Sequence, residues 1–232
     1  MLKLYYIPAA CSLASHIALL EARADFEVEE IDYARGDHKD PKFLQLNPKG
    51  FVPVLLTDQG PITENVAILF YVAMQFSGAA LYPSSDPFGF ARMQEFNTFL
   101  SASVHVTYRH ISRPRLFADG AEAAAALRAK VPEMVHRYFG LIEDKFRDGR
   151  TWVHGERYTV SDPYLFVYSS YLQWGDRGDP GRFPRVRAHR ERVLGRPATQ
   201  KALEVEGIPD PAIAFGPNFH QPAIDGDDPP SC

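Results

Sequence analysis

The sequence predicts two structural units, an α/β unit with a mixed sheet followed by an all-helical unit. Short β-prone runs alternate with helical patterns as far as Gly78. Beyond Gly89 the pattern is helical almost throughout, and a stretch rich in proline and serine separates the two regions. We therefore expect an α/β unit at 1–78, a linker at 79–88, an all-helical unit at 89–206 and a proline-rich tail at 207–232.

The first unit is predicted in the order β-α-β, then an irregular stretch, then β-β-α. Pro8 ends the first strand, and Leu13, Ile17 and Leu20 recur after it at helical spacing. The polar stretch RGDHKDPKFLQLNPKG is expected to be irregular, and the segment DQGP at 58–61 is expected to form a hairpin turn. The predicted elements are the strand Lys3–Ile7, the helix Ser12–Ala24, a strand at Phe26–Ile31, the hairpin strands Val54–Thr57 and Pro61–Thr63, and the helix Glu64–Phe76.

The second unit is predicted to consist of helices joined by short connections. Pro114 ends the first long helical pattern. The segment TVSD at 159–162 matches a capping box, in which the Thr159 oxygen accepts from the Asp162 N–H and Asp162 reaches back. The predicted helices are Phe90–Ile111, Glu122–Phe146, a segment after Tyr158, Phe183–Leu194 and Ala198–Glu204. The final residues, DGDDPPSC, are expected to be disordered.

Composition excludes several classes of function. The formal net charge of −4 gives no electrostatic reason to expect a nucleic-acid partner. No apolar run approaches the roughly 20 residues that cross a bilayer, and the first residues lack a signal-peptide pattern, so we expect a cytoplasmic protein with no membrane partner. The two cysteines, Cys11 and Cys232, form neither a disulfide framework nor a metal site, so we expect no metal.

Three motifs in order carry a resemblance to a known family. They are KLYYIPAACSLASHIAL at the start, FLQLNPKGFVPVL in the middle and GERYTVSDPYLF in the second unit. Together they resemble the cytosolic glutathione transferase superfamily, and most of all its bacterial beta class, over residues 1–206. The resemblance implies a thioredoxin-like N-terminal domain, a helical-bundle C-terminal domain and a homodimer. It also implies glutathione as the co-substrate, with a small hydrophobic electrophile as the second substrate.

Cys11 and Ser12 follow a predicted strand and open a predicted helix. The first turn of a helix carries unpaired N–H groups and partial positive charge, which favours a thiolate and lowers the pKa of a thiol. From the residues alone, Cys11 could instead be a small buried apolar residue, as most free cysteines are. The resemblance implies that Cys11 faces the sulfur of glutathione, or that Ser12 donates its hydroxyl to that sulfur in its place.

Val52 and Pro53 precede the third predicted strand. From the residues alone, this bond could be an ordinary trans peptide bond before a proline. The resemblance implies a cis bond, which turns the N–H and C=O of Val52 outward to pair with the cysteinyl backbone of glutathione as an added strand would.

Glu64 and Asn65 open a predicted helix, whose free N–H groups suit a carboxylate. The resemblance places the γ-glutamyl group of glutathione here, with the Glu64 carboxylate accepting from its α-amino group. Asn65 departs from the serine that is usual in the family. Its amide can still donate to a carboxylate, although both residues could simply cap the helix.

Two histidines complete the predicted site. His38 and Lys39, in GDHKDPKF, resemble a segment whose histidine or lysine reaches the glycine carboxylate of glutathione in related classes. Solvated surface charge is the alternative for both residues. The resemblance places His105 in the same cleft as the cysteine, where a histidine that titrates near neutral pH can hold or accept the thiol proton. A packed helix histidine is the alternative. Thr98 departs from an asparagine that some relatives direct at the partner subunit's ligand.

The aromatic residues of the helical unit are expected to be mostly core, namely Tyr108, Phe166, Tyr168, Tyr171 and Trp174.

Three functions remain open at this point. Conjugation of glutathione to an electrophile is the expected activity. A cysteine beside glutathione can also form a mixed disulfide, so a glutathione-dependent reductase, dehalogenase or ether-cleaving enzyme is the first alternative. A non-catalytic binding protein on the same fold is the second alternative.

Overall fold

The computed structural model describes residues 1–83, 86–172 and 179–208. Strands and helices alternate in the first part, and helices follow one another in the second. The first part contains β1 (Leu2–Tyr6), α1 (Leu13–Glu21), β2 (Phe26–Glu30), α2 (Pro41–Leu46), β3 (Val54–Thr57), β4 (Gly60–Thr63) and α3 (Asn65–Gln75). The second contains α4 (Pro87–Phe99), a π-helical segment (Leu100–His105), α5 (Val106–Ser112), α6 (Ala121–Lys145), α7 (Ser161–Tyr171), α8 (Pro184–Leu194) and α9 (Pro197–Val205). This order confirms the predicted fold class.

The sheet is mixed, with the strand order β2-β1-β3-β4. β1 runs parallel to β2 and antiparallel to β3, and β3 and β4 form the predicted hairpin. Leu4 and Leu55, opposite each other on β1 and β3, are fully buried. Because β1 is a central strand, the loop that leaves it toward α1 lies next to the chain that enters β3.

The stretch predicted to be irregular contains a short helix, so that prediction was wrong. Pro41 occupies the first turn of α2, and the Asp40 carboxylate accepts from the Lys42 N–H at 2.7 Å. An aspartate followed by proline is a strong helix start. The six-residue helix is too short to be stable by itself, and burial of Phe43 anchors it.

The first long helical stretch of the second part is not uniform. It begins at Pro87, with the Asp86 carboxylate accepting from the Phe88 N–H at 3.1 Å, earlier than the predicted start at Phe90. The backbone widens into a π-helical segment at Leu100–His105 before α5 begins. A π-helical turn inserts extra backbone and changes which face the following residues present. This segment therefore sets the direction of His105 and of the residues after it.

Helix α7 is the centre of the second part and packs against α1, α4 and α8. The Asp162 carboxylate accepts from the Thr159 N–H at 2.7 Å, as the capping-box prediction requires. The Asp162 N–H donates to the Thr159 backbone carbonyl oxygen at 3.1 Å, so a Thr159 oxygen accepts from it as predicted, while the Thr159 hydroxyl accepts from the Ser161 N–H at 3.3 Å. Asp162 also accepts from the Val153 N–H and contacts His189 Nε2, each at 2.9 Å. The carboxylate therefore joins three segments of chain.

The end of the described chain returns to the first part of the molecule. The buried Glu206 carboxylate contacts His16 Nδ1 at 2.9 Å and accepts from the Ala9 N–H at 3.0 Å. The tail from residue 209 onward, Trp174 and the linker residues Ser84 and Ser85 lie outside the described residues. Within the described ranges, no helix combines the length and apolar character required to span a bilayer.

Candidate functional site

A cleft forms where the loop after β1, the turn before β3 and the start of α3 meet. Cys11 Sγ lies 3.8 Å from the Val52 carbonyl oxygen. The Asn65 side-chain amide donates to the Cys11 carbonyl at 2.8 Å. Three predicted site residues from distant parts of the sequence are therefore in direct contact.

Cys11 is a protonated thiol in this cleft at neutral pH. Desolvation raises its pKa to about 11, and the nearby positive charges of Arg113 and Arg109 oppose this rise without cancelling it. The sequence-based expectation of a lowered pKa was wrong, because loss of water outweighs the favourable charge at a helix start. The protonated thiol can act as a hydrogen-bond donor.

Ser12 does not face the cleft, so its prediction as a catalytic donor was wrong. Its hydroxyl donates to the Ile7 carbonyl at 3.1 Å and accepts from the Ile7 N–H at 3.2 Å. The side chain is fully buried. Ser12 thus closes the loop between β1 and α1.

The Val52-Pro53 bond is cis, which confirms that prediction. The Val52 carbonyl contacts Cys11, and no hydrogen bond to the Val52 N–H occurs within the described chain. A backbone N–H at the cleft edge is a suitable donor for an added extended peptide.

Glu64 lies at the mouth of the cleft and immediately precedes α3. Its backbone has a φ of 72°, a left-handed value that is uncommon for a residue with a side chain and often marks a functional position. Its exposed carboxylate lies 2.5 Å from the Lys49 ammonium. The side chain is therefore accessible to a ligand, in competition with one lysine.

The Asn65 side chain points away from the cleft, so its amide is not available to a ligand carboxylate. Its Oδ1 accepts from the Ser15 hydroxyl at 2.6 Å, while its Nδ2 donates to the Cys11 carbonyl. The side chain is buried. Asn65 consequently positions the Cys11 backbone from behind, and only its backbone N–H remains at the start of α3.

His38 is buried in a stacked pair. Its ring lies 3.7 Å from the ring of Tyr33, with only 9° between the two planes. Solvated surface charge, the alternative drawn from the sequence, is therefore wrong for His38. Contact of His38 with glutathione stays a prediction.

His105, at the end of the π-helical segment, is neutral at physiological pH. Desolvation lowers its pKa to about 4, with further contributions from Arg109 and Arg113. The expectation that His105 titrates near neutral pH was therefore wrong. Its ring lies 5.6 Å from that of Tyr168.

Two arginines of the cleft were missed by the sequence reasoning. Arg109 lies on α5, four residues after His105, and Arg113 follows directly after the end of α5. The Arg109 and Arg113 guanidinium groups lie 5.2 Å and 5.3 Å from the ring centre of Phe51. The four-residue spacing was the available signal, and only the fold reveals that both guanidinium groups lie over Phe51 and act on the charge of Cys11.

Tyrosines of α5 and α7 form the apolar wall beside His105. Tyr108, Tyr164 and Tyr168 are buried, which confirms a core position for two of the aromatic residues singled out from the sequence. Burial raises the pKa of Tyr164 and of Tyr168, so both phenols are neutral. Tyr171 donates to the Ala9 carbonyl at 3.1 Å and ties this wall to the Cys11 loop.

Comparison with known proteins places this cleft in a family. Residues 1–74 match the model of the glutathione S-transferase N-terminal domain, and residues 107–205 match that of the C-terminal domain. The glutathione S-transferase GST-4.5 of Xanthomonas campestris is 32% identical over 216 residues, which cover 89% of this chain and 100% of the relative.

Solved structures agree with the sequence relatives. A glutathione transferase homologue from Sulfitobacter with bound glutathione is 31% identical with a TM-score of 0.83, over 90% of this chain and 99% of its own. A beta class glutathione S-transferase from Sphingomonas chungbukensis is 33% identical with a TM-score of 0.77, over 89% and 99%. Within the described ranges, no cluster of three or more His, Cys, Asp and Glu residues is placed to hold a metal ion. Sequence and fold together show that the chain belongs to the cytosolic glutathione transferase superfamily and is a glutathione transferase similar to the bacterial beta class.

Proposed function

We propose that this enzyme joins the thiol of glutathione to a small hydrophobic electrophile. The observation that carries the proposal is the contact of Cys11 with Val52 beside the cis Val52-Pro53 bond. This arrangement places a thiol donor next to a backbone N–H that an extended peptide can pair with. The start of α3 lies on the other side of Cys11, through Asn65.

Glutathione fits this cleft in one direction. Its α-carboxylate would lie at the N-terminus of α3, where backbone N–H groups favour an anion, and its α-amino group near the Glu64 carboxylate. Its cysteinyl backbone would pair with Val52, which brings the sulfur toward Cys11. His38, behind Tyr33, would lie toward the glycine end.

The nucleophile in this proposal is the sulfur of glutathione. The thiol proton of glutathione passes to solvent water as the Cys11 S–H donates a hydrogen bond to the sulfur, and the His105 ring is neutral and can accept a hydrogen bond. The sulfur forms a bond to the electrophilic carbon, and the leaving group departs with the bonding pair. Holding the two reactants together removes much of the entropic barrier.

Cys11 variants test the proposal. We expect Cys11→Ala to bind glutathione and to conjugate 1-chloro-2,4-dinitrobenzene about tenfold more slowly, because one hydrogen bond to a charged sulfur is lost. Cys11→Ser keeps a donor and should lose less. Calorimetry with glutathione and the absorbance of the conjugate are the measurements. If the unaltered enzyme binds no glutathione at millimolar concentration, a non-catalytic protein on this fold is the better description.

The redox alternative is less consistent with the cleft. A thiol with a pKa of about 11 is almost entirely protonated at neutral pH and attacks disulfides slowly. We therefore expect little mixed disulfide between Cys11 and glutathione disulfide by mass spectrometry. Rapid formation of that adduct, together with reductase turnover that disappears in Cys11→Ser, would favour the redox alternative over conjugation.

The homodimer also belongs to this proposal. An exposed apolar patch on α3 and α4 supports it, made of Phe70, Met74 and Phe88, with Phe70 packed 5.4 Å from Phe90. Light scattering after size-exclusion chromatography measures the mass directly. A Phe88→Asp variant that remains dimeric would move the interface to another surface.

A further inference from the structure

Arg109 and Arg113 are partly buried yet lack acidic partners among the described residues, unlike Arg150 and Arg196, which are also partly buried and are each paired with a carboxylate. Neither guanidinium forms an ion pair or a hydrogen bond with a carboxylate in residues 1–83, 86–172 and 179–208. Other arginines are paired with acidic side chains, namely Arg35, Arg147, Arg150, Arg185 and Arg196. The two cleft arginines therefore carry two positive charges that no carboxylate contacts directly, and the Glu64 carboxylate acts on Arg109 only through space.

Their surroundings make this charge costly. Both side chains are partly buried, and aromatic faces flank them. Arg113 lies 4.4 Å from the ring centre of Tyr33, and Arg109 lies 5.8 Å from that of Phe117. Aromatic faces partly compensate a cation but form no salt bridge. Two like charges in a desolvated place gain strongly from an anion that bridges them.

The position of the pair relates it to the reacting sulfur. Phe51, which both guanidinium groups face, directly precedes Val52 and Pro53 in the chain. Both arginines are close enough to Cys11 to act on its charge. An anion held between them would therefore lie beside the place where glutathione brings its sulfur in the function proposed above.

We propose that Arg109 and Arg113 form a carboxylate-binding pair that selects electrophiles carrying a carboxylate within one aromatic ring's width of the reactive carbon. Phe51 and Phe117 offer apolar surface for the rest of such a substrate. The inference rests on the proposed function, because it names the class of the second substrate. Guanidinium groups suit this role since they bind planar carboxylates through parallel hydrogen bonds.

The test compares two electrophiles that differ at one substituent, the carboxylate of 4-chloro-3,5-dinitrobenzoate and the neutral amide of 4-chloro-3,5-dinitrobenzamide. The variants are Arg109→Gln, Arg113→Gln and the double variant. Arg113→Lys retains the positive charge but lacks the paired N–H donors of a guanidinium group. Arg137→Gln, at an exposed position of α6, is the control. The measured quantity is the ratio of kcat/KM for the acid to kcat/KM for the amide, in which the different reactivities of the two compounds cancel between variants.

We expect the double variant to lower this ratio by about tenfold or more, since a charge-assisted contact is lost. Arg113→Lys should lie between it and the unaltered enzyme, and Arg137→Gln should leave the ratio unchanged. An equal ratio in all variants would overturn the inference while conjugation of the amide upholds the proposed function.

Two binding measurements separate the remaining outcomes. Calorimetry with unreactive 3,5-dinitrobenzoate and 3,5-dinitrobenzamide reports the carboxylate preference even if no conjugation occurs. Absence of conjugation together with a carboxylate preference would contradict the proposed function and not the inference. Calorimetry with glutathione and γ-glutamylcysteine tests the other source of a carboxylate. If the double variant weakens glutathione but not γ-glutamylcysteine, the pair binds the glycine end of glutathione and the inference is wrong.

Discussion

Individual side chains in the cleft owe their protonation to burial more than to neighbouring charge. Desolvation raises the pKa of Cys11 to about 11 and lowers that of His105 to about 4, so both groups are neutral at physiological pH. Arg109 and Arg113 push both groups in the direction expected of positive charges, and for His105 the two effects add. Two neutral groups and two cations make the inside of the cleft a favourable place for an incoming thiolate, although the Glu64 carboxylate at its mouth acts in the opposite direction.

Alkylation kinetics test the protonation of Cys11. Only the thiolate reacts with iodoacetamide, so the rate constant should rise about tenfold per pH unit from pH 7 to pH 10. The measurement is made in a Cys232→Ser background by mass spectrometry of the Cys11 peptide. A plateau reached below pH 9 would contradict the raised pKa.

His105 should make the fold sensitive to acid. Its folded pKa of about 4 lies below the unfolded value of about 6.5, so folding favours the neutral ring. The resulting stability is fully present above pH 6.5 and is lost as the pH falls toward 4, by up to about 3 kcal/mol. Urea unfolding at several pH values should therefore show a steeper acid loss than in His105→Gln. Parallel curves for the two proteins would contradict this.

Asn65 should contribute to stability because it satisfies two buried groups. Asn65→Ala leaves the Ser15 hydroxyl and the Cys11 carbonyl without this partner, and we expect a loss of about 1–3 kcal/mol in the free energy of unfolding. The exposed turn variant Gln59→Ala is the control and should change it by less than about 0.5 kcal/mol. A loss in Asn65→Ala as small as in the control would remove the positioning role.

At the scale of elements, the start of α7 depends on one buried carboxylate. Asp162 accepts from two backbone N–H groups and contacts His189. None of its surface is exposed to solvent. Asp162→Ala leaves these groups unpaired in the core. We expect a loss of about 3–5 kcal/mol in urea unfolding, or failure to fold. The exposed variant Glu122→Ala in the first turn of α6 should cost less than about 1 kcal/mol. A loss below about 1 kcal/mol in Asp162→Ala would show that the helix start does not depend on it.

At the scale of the whole molecule, the second part holds the Cys11 loop in place. Glu206, just after α9, binds His16 on α1 and the Ala9 N–H in the loop that leads to Cys11. Tyr171 on α7 holds the Ala9 carbonyl from the other side. One hydrophobic core extends across both parts and includes residues of β1, α1, α7 and α9. The geometry of the site near Cys11 is therefore a property of the complete fold.

Glu206→Gln should weaken the contacts that Glu206 makes with His16 and with the Ala9 N–H. The amide is a weaker acceptor than the carboxylate for both partners, so we expect a loss of about 1–3 kcal/mol in the free energy of unfolding. Glutathione affinity should fall as well, because Ala9 leads directly to Cys11. Glu204→Gln, two residues earlier and exposed, is the matched control. Equal stability and affinity in the two variants would argue against the coupling.

Local sequence patterns carried much of the fold. Apolar periodicity, the DQGP turn and proline positions were sufficient for β3, β4, α3 and the helices of the second part apart from the π-helical segment Leu100–His105, because each pattern acts within a few residues of chain. The motifs shared with the family identified the cis Val52-Pro53 bond. The helix α2 was missed although its Asp40-Pro41 start was present, since burial of Phe43 depends on residues far away in the sequence.

Only the tertiary structure decided the details of the site. The directions of Ser12 and Asn65 depend on Ile7 and Ser15, which spacing alone does not place beside them. The pKa of Cys11 is set by how much water the other elements exclude, and desolvation is a sum over atoms from the whole fold. The sequence by itself determined the order of elements and the family, because both depend on patterns of residues that are close together in the chain. Which groups face the sulfur, and in which protonation state, was decided where distant segments meet.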